Sequence, residues 1–142
     1  MELPARAENV GLLRAEVSAR AAELGMSASG IADLKTVVSE ACANVVNYAY
    51  DEDVEGPLEV ELVPDGEWLN VFVRDQGGGI RPRPEADVPS LKLGLPLIGV
   101  LSRRFDLSSE AGRGTELKIV MPLHAQASWP PRRPAPGRRA AE

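Results

Sequence analysis

Glu40 and Asn44 are the first pair in this sequence whose types and spacing could do chemistry. Four residues apart, they are neighbours on a helical surface. A helical wheel puts both on the flank of an apolar stripe, toward one side of the core. A carboxylate there can take a proton from a hydroxyl. An amide oxygen beside it can bind Mg2+, a hard cation that prefers oxygen. Alone, such a pair is also what an ordinary polar helix flank carries. Asp75 is the second group. It continues the odd parity of Leu69, Val71 and Val73, so it falls on the apolar face of its strand. A buried acid is costly unless hydrogen-bonded, and it accepts well from an exocyclic amine such as that of adenine. An Asp that merely opens a turn is the plainer reading. The run Asp75-Gln76-Gly77-Gly78-Gly79-Ile80 makes that reading less sufficient. Three successive glycines exceed the needs of a simple turn and suit close backbone approach to a ligand. Third come Gly94, where a helix is expected to start and offer free N–H groups to phosphate, and Gly114-Thr115 at the start of a strand. Each is weak alone, because glycines at element boundaries are ordinary.

Composition narrows the alternatives. The chain has 142 residues, one domain's worth, and is 44% hydrophobic, enough for one core. Its one cysteine, Cys42, excludes an internal disulfide. With His124 as the one histidine, a zinc finger lacks ligands. A Ser-His-Asp triad would have to use His124, at the end of an apolar run. The net charge of −5 argues against nucleic acid as the direct partner. Charges at Glu2, Arg6 and Glu8 and the lack of an apolar stretch argue against a secretory signal, and no segment approaches a membrane span. A lone cysteine fits a reducing cytoplasm. Residues 125–142 differ from the rest. They hold four arginines, four prolines and one acid, a formal +3, which leaves −8 on residues 1–124. We read 1–124 as the domain and 125–142 as a disordered, basic Pro/Arg-rich tail.

The elements that must position these groups follow from periodicity. Val10, Leu13, Val17, Ala21 and Leu24 recur at helical spacing, and Gly25 offers a stop. Ser27 or Ser29 can cap a second helix running to about Tyr50, with Ile31, Leu34, Val38, Ala41, Val45 and Tyr48 as its stripe. The period then becomes two over Leu58–Leu62 and again over Trp68–Arg74, with Pro64-Asp65-Gly66 as a turn. A Gly/Pro-rich loop precedes a helix over Leu93–Leu101. A short strand over Phe105–Ser108 and a last one over Thr115–Met121 follow. The order implies an α+β two-layer sandwich: a mixed, mostly antiparallel sheet with helices on one face.

Taken together, Glu40-Ala-Cys-Ala-Asn44, Asp75-Gln-Gly77-Gly-Gly79-Ile80, Leu93-Gly94-Leu95 and Gly114-Thr115 resemble the conserved boxes of the GHKL ATPases. That family includes the gyrase, histidine-kinase and MutL nucleotide-binding domains. The finer resemblance is to the anti-sigma-factor serine/threonine kinase branch. It rests on Val37-Val38-Ser39-Glu40-Ala41 with Asn44 and Tyr50, on Gly94-Leu95-Pro96-Leu97-Ile98 and on the late Gly-Thr, and covers roughly Glu2–Leu123. It implies a Bergerat-type fold holding Mg·ATP between the helical layer and a lid. Glu40 would be the general base for the attacking hydroxyl and Asn44 the Mg2+ ligand. Asp75 would accept from the adenine amine, backed by Thr115. Gly77 and Gly79 would let backbone lie against the nucleotide. Ile80, Lys92, Gly94, Leu95 and Gly114 complete the expected nucleotide contacts. The implied activity is phosphorylation of a serine on an anti-anti-sigma protein of the STAS type, with sequestration of a sigma factor, commonly by a homodimer. Arg14, on the first helix, sits where relatives use an arginine for partner contact; it is equally an ordinary surface arginine.

Two departures stand out. Many relatives carry Gly-x-Gly where this chain has Lys92-Leu93-Gly94. Lys92 replaces bare backbone with a side chain, but also brings an ammonium toward phosphate. The lid is short, twelve residues from Arg81 to Lys92, stiffened by Pro82, Pro84 and Pro89. Both features leave open a second reading, a nucleotide-sensing anti-sigma module without turnover. A histidine-kinase domain cut from a longer chain is a third; no phospho-accepting histidine helix precedes the motifs.

Overall fold

The computed structural model describes residues 1–51, 53–77, 88–110, 114–124 and 127, with 88–94 and 110 as backbone alone. The first helix, α1 (Ala7–Glu23), buries Leu13, Val17 and Ala21. Its end is a hydrogen-bonded glycine stop. Gly25 has φ +88, its N–H donates to the Ala22 carbonyl at 3.0 Å, and Met26 N–H donates to Ala21 at 3.1 Å. This is the Schellman pattern, which needs a left-handed residue where glycine is cheapest. Ser27 caps the second helix, α2 (Ala28–Asn44), by accepting from Gly30 N–H at 3.1 Å. Beyond Asn44 the helix widens into a π-helical turn, Val45–Ala49.

Among the described residues five strands form one sheet, and the last four of them follow the alternation. The five are β1 (Glu2–Pro4), β2 (Pro57–Asp65), β3 (Trp68–Asp75), β4 (Arg104–Glu110) and β5 (Gly114–Pro122), in the order β1-β2-β3-β5-β4. All four pairings are antiparallel. The expectation of a mixed sheet is therefore corrected: among the described residues no parallel pair occurs, because β5 inserts between β3 and β4. The β2–β3 hairpin turns on Gly66-Glu67, with φ +62 at Gly66 and no positive φ at Glu67. That is the type II′ pattern, with glycine at its first central position. The third helix, α3 (Val88–Leu101), connects β3 to β4 and buries Ile98.

All three α-helices among the described residues lie on one face of the sheet. Leu13, Leu34, Val38 and Ile98 meet Leu58, Val60, Leu69, Val71, Val73, Leu117 and Ile119 in one core. The opposite face carries a polar cluster as well as the apolar Trp68, Phe72 and Val120. There Arg74 on β3 donates to Glu59 at 2.5 Å and Glu61 at 2.9 Å on β2, and to Glu116 at 2.7 Å on β5. These groups are a third to a half exposed, so solvent screening limits each pair to a few tenths of a kcal/mol, of order ~1 at most. Their larger effect is to pin the register of three strands. The one helix that departs from expectation is α3, which starts at Val88 and not near Leu93. Pro89 falls in its first turn, where a missing N–H costs nothing. The prolines read as lid stiffeners thus include one that begins the helix. No helix among the described residues is long and apolar enough to cross a membrane.

Candidate functional site

The site grows from the end of β3. Alternation carries Asp75 onto the helix-covered face, where it is 4% exposed. Its Oδ1 accepts from Gly77 N–H at 3.0 Å. Its Oδ2 is buried and has no partner among the described residues. Burial pushes the carboxyl above the ordinary Asp range, partly offset by the backbone N–H groups of Gly77 and Thr115. A buried acceptor left open is costly. In its ionised form the carboxylate can only accept, so a donor would satisfy Oδ2.

Thr115 stands directly across the ladder from Asp75 and is also buried. Its hydroxyl donates to Ser109 Oγ at 3.4 Å, a long contact. Gly114, just before it, has φ +87, and a Cβ there would overlap the Asp75 carbonyl. Glycine is needed at 114 twice over, for its backbone angle and for this close approach. Gly77 is needed too, because a Cβ there would overlap the Ala49 carbonyl oxygen. The end of the helix that carries Glu40 and Asn44 therefore rests on the loop that follows Asp75.

Asn44 is buried, at the last residue of α2, and Glu40 is half-buried one turn earlier. The π-helical turn starts immediately after Asn44. Such widened turns favour functional sites because they re-aim the residues beyond them. Here the residue beyond is Tyr50. Its hydroxyl accepts from Gln76 N–H at 2.8 Å and donates to the Pro57 carbonyl at 2.5 Å. Tyr50 thus ties the helix end to the loop after β3 and to the start of β2. Sequence reasoning quoted Tyr50 only as part of a motif and missed Ser109. The signal for Tyr50 was its place one residue past a helix whose carboxylate and amide point to chemistry.

Other expected site residues fall differently. Gly79 and Ile80 lie outside the described residues, as do Arg81–Asp87. Gly94, Lys92 and Leu95 all lie inside α3. Gly94 is therefore not at a helix N-terminus, and its N–H belongs to the interior ladder of the helix. The expectation of free N–H groups there is corrected; the earlier start at Val88 is the cause. Pro96, also inside α3, lacks the N–H that would bond the Lys92 carbonyl. Arg14 is exposed on α1. A cleft of about 350 Å3 touches Asp75, Thr115 and Gly114, but from the outward side, where Glu2, Glu59 and Glu116 line it. Three carboxylates make that cleft unsuited to phosphate.

The arrangement is thus a buried carboxylate lacking a donor, a threonine beside it, glycine-dependent backbone, and a helix end bearing Glu and Asn. The model of the histidine kinase-like ATPase domain matches residues 3–121. The chain belongs to that family. Among curated relatives of this ATPase-family chain is the serine-protein kinase RsbW of Halalkalibacterium halodurans. It is 34% identical over 125 residues, which cover 79% of this chain and 76% of the relative. The serine-protein kinase RsbW of Bacillus subtilis is 40% identical over 77 residues, 54% of this chain and 48% of that protein. The chain thus spans about half the length of that second relative. These relatives agree with the resemblance to the anti-sigma kinase branch. The histidine kinase domain of the blue-light activated histidine kinase from Erythrobacter litoralis EL346 has a TM-score of 0.54. The match covers 80% of this chain and 61% of that one at 18% identity, a likeness of fold. The α+β sandwich of the ATPase family is therefore the architecture of this chain.

The donor set fits Mg·ATP. The adenine amine is a donor of the kind Asp75 Oδ2 lacks. Asn44 offers a buried amide oxygen, a hard donor suited to Mg2+, which completes its shell with phosphate and water.

Proposed function

We propose that this chain is an ATP-dependent protein-serine kinase that works by partner switching. Its substrate is a serine of an anti-anti-sigma protein of the STAS type, and its second partner is a sigma factor. The observation that carries the reading is the buried, donor-lacking Oδ2 of Asp75. The names of the relatives support the kinase activity.

In this reading Asp75 accepts from the adenine amine and Thr115 supports it from the facing strand. Asn44 holds Mg2+. Bound Mg·ATP supplies the phosphoryl group and the cation that neutralises its charge. Glu40 would receive the proton of the serine hydroxyl as the serine oxygen bonds to the γ-phosphorus and the bridge from that phosphorus to ADP breaks, ADP being the leaving group. Gly77, Gly79, Ile80, Leu95 and Gly114 line the nucleotide, and Lys92 adds positive charge toward the phosphates. The exposed Arg14 on α1 contacts a protein partner. The protein acts in the cytoplasm as a homodimer.

One observation favours the second reading, nucleotide sensing without turnover. Gly94 inside α3 has its N–H spent on the helix, so phosphate cannot use it in this conformation. The test is phosphotransfer from labelled ATP to the purified anti-anti-sigma partner. The kinase reading expects label on a serine, lost in Glu40→Ala. Tight Mg·ATP binding with no label transferred would replace it with the sensing module.

A further inference from the structure

The two ladders that hold β3 both end at Asp75, which stands opposite Leu58 on β2 and Thr115 on β5. Gln76 is the first residue past them, so neither ladder holds its N–H. The Tyr50 hydroxyl does. It accepts from Gln76 N–H at 2.8 Å and donates to the Pro57 carbonyl at 2.5 Å. One bond accepted and one donated fix the O–H rotor. The ring is held as well. It packs against the core, and a Cβ at Gly56 would overlap it. A Cβ at Gly77 would come within 3.3 Å of it. Tyr50 ends the π-helical turn in an extended conformation, φ −122 and ψ 147, where the chain leaves the helix.

The N–H so held belongs to the middle residue of a short turn that sets the Asp75 carboxylate. Oδ1 accepts from Gly77 N–H at 3.0 Å and closes the turn over Gln76. Oδ2 is left buried and open. With Gln76 N–H released, the peptide between 75 and 76 could turn, and Gly77 N–H would leave Oδ1. We infer that Tyr50 is a positioning residue for nucleotide recognition, holding the 75–77 turn so that Asp75 Oδ2 stands as a fixed acceptor for the base. The inference rests on the nucleotide-binding reading of the site. The hydroxyl acts through Asp75 and not on the nucleotide. An acceptor oriented beforehand needs no ordering when the ligand arrives, whereas a loose turn must be ordered at the expense of affinity. A tyrosine that merely stapled the helix end to the sheet would contribute stability, and its effect would not depend on Asp75.

The experiment uses four full-length proteins: wild type, Tyr50→Phe, Asp75→Asn and the double variant. Phenylalanine keeps the ring on Gly56 and removes the hydroxyl. Mg·ATP affinity is measured well below each melting midpoint, by calorimetry or, where binding is weak, by NMR shifts. Amide exchange is followed without nucleotide. Tyr50→Phe should weaken Mg·ATP by about tenfold when Asp75 is present. It should weaken it by less than about twofold when Asp75 is already Asn, because the two residues act as one unit. Gln76 and Gly77 amides, protected in wild type, should exchange near unstructured-peptide rates in Tyr50→Phe, with Val71 and Ile119 still protected. Wild-type affinity in Tyr50→Phe overturns the inference. So does the same fold-loss in both backgrounds, which would make Tyr50 a structural staple. A wild type that binds no Mg·ATP overturns the nucleotide reading instead. The exchange data then still decide whether Tyr50 holds the turn, and protection kept in Tyr50→Phe overturns that.

Discussion

Asp75→Asn separates nucleotide recognition from folding. The amide keeps one oxygen to accept from Gly77 N–H, as Oδ1 does now at 3.0 Å. The other position becomes an NH2 donor where Oδ2 lacked a donor. An adenine amine arriving there meets donor against donor. The variant forfeits a hydrogen bond to a charged group, worth about 1.5–3 kcal/mol, and leaves a buried donor unmatched. We expect a loss of about 2–4 kcal/mol, or roughly 30- to 1000-fold in Kd. The fold should not suffer, because the variant removes a buried carboxylate whose pKa burial already raises. The sign of the pH effect follows. A carboxyl with a raised folded pKa is protonated more readily folded than unfolded. It therefore favours folding most below the unfolded pKa, and that contribution is lost as pH rises through the folded value. Between those values wild type should lose stability relative to Asp75→Asn as pH rises, while its ATP binding strengthens as Asp75 ionises. Calorimetric Mg·ATP titrations and thermal melts across pH 4–8, roughly the span of carboxyl titration, check both. An Asn variant that binds ATP as tightly as wild type, or that loses binding only because it melts, refutes the reasoning.

Four further outcomes follow from the same geometry. Glu40→Ala should lower phosphotransfer by roughly 100- to 10,000-fold with Mg·ATP binding kept, read by single-turnover labelling. Gly114→Ala strains a φ of +87 and drives a Cβ into the Asp75 carbonyl, so urea melts should show a loss above about 2 kcal/mol. Tyr50→Phe leaves Gln76 N–H and the Pro57 carbonyl without their partner and should cost about 1–3 kcal/mol in the same assay. The Cys42 thiol, pushed up to about 12 by burial, should stay unreactive to a thiol probe at pH 8 until the protein unfolds, seen as coincident labelling and unfolding curves.

Much of this fold is legible in the sequence because it rests on local rules. The spacing of Leu13, Val17 and Ala21, the stop at Gly25 and the cap at Ser27 each act within a few residues. Strand parity alone carried Asp75 to the buried face, and the face shared by Trp68 and Phe72 proves to be the outward one. What escaped depends on distant partners. β1 is three residues long, too short to alternate, and exists because Leu3 finds Leu58. The π-helical turn after Asn44 has no spacing signature. The start of α3 was masked by Pro89, which reads as a breaker but suits a first turn. That the missing Cβ of Gly77 also makes room for the Ala49 carbonyl needed the fold. The pairing of Asp75 with Thr115 needed the register of strands forty residues apart.

A structure with Mg2+ and a non-hydrolysable ATP analogue tests the account most directly. The account predicts the adenine amine within about 3.2 Å of Asp75 Oδ2, with Mg2+ on the Asn44 amide oxygen. A nucleotide bound elsewhere, or an Asp75 Oδ2 still without a donor beside a bound adenine, would contradict it.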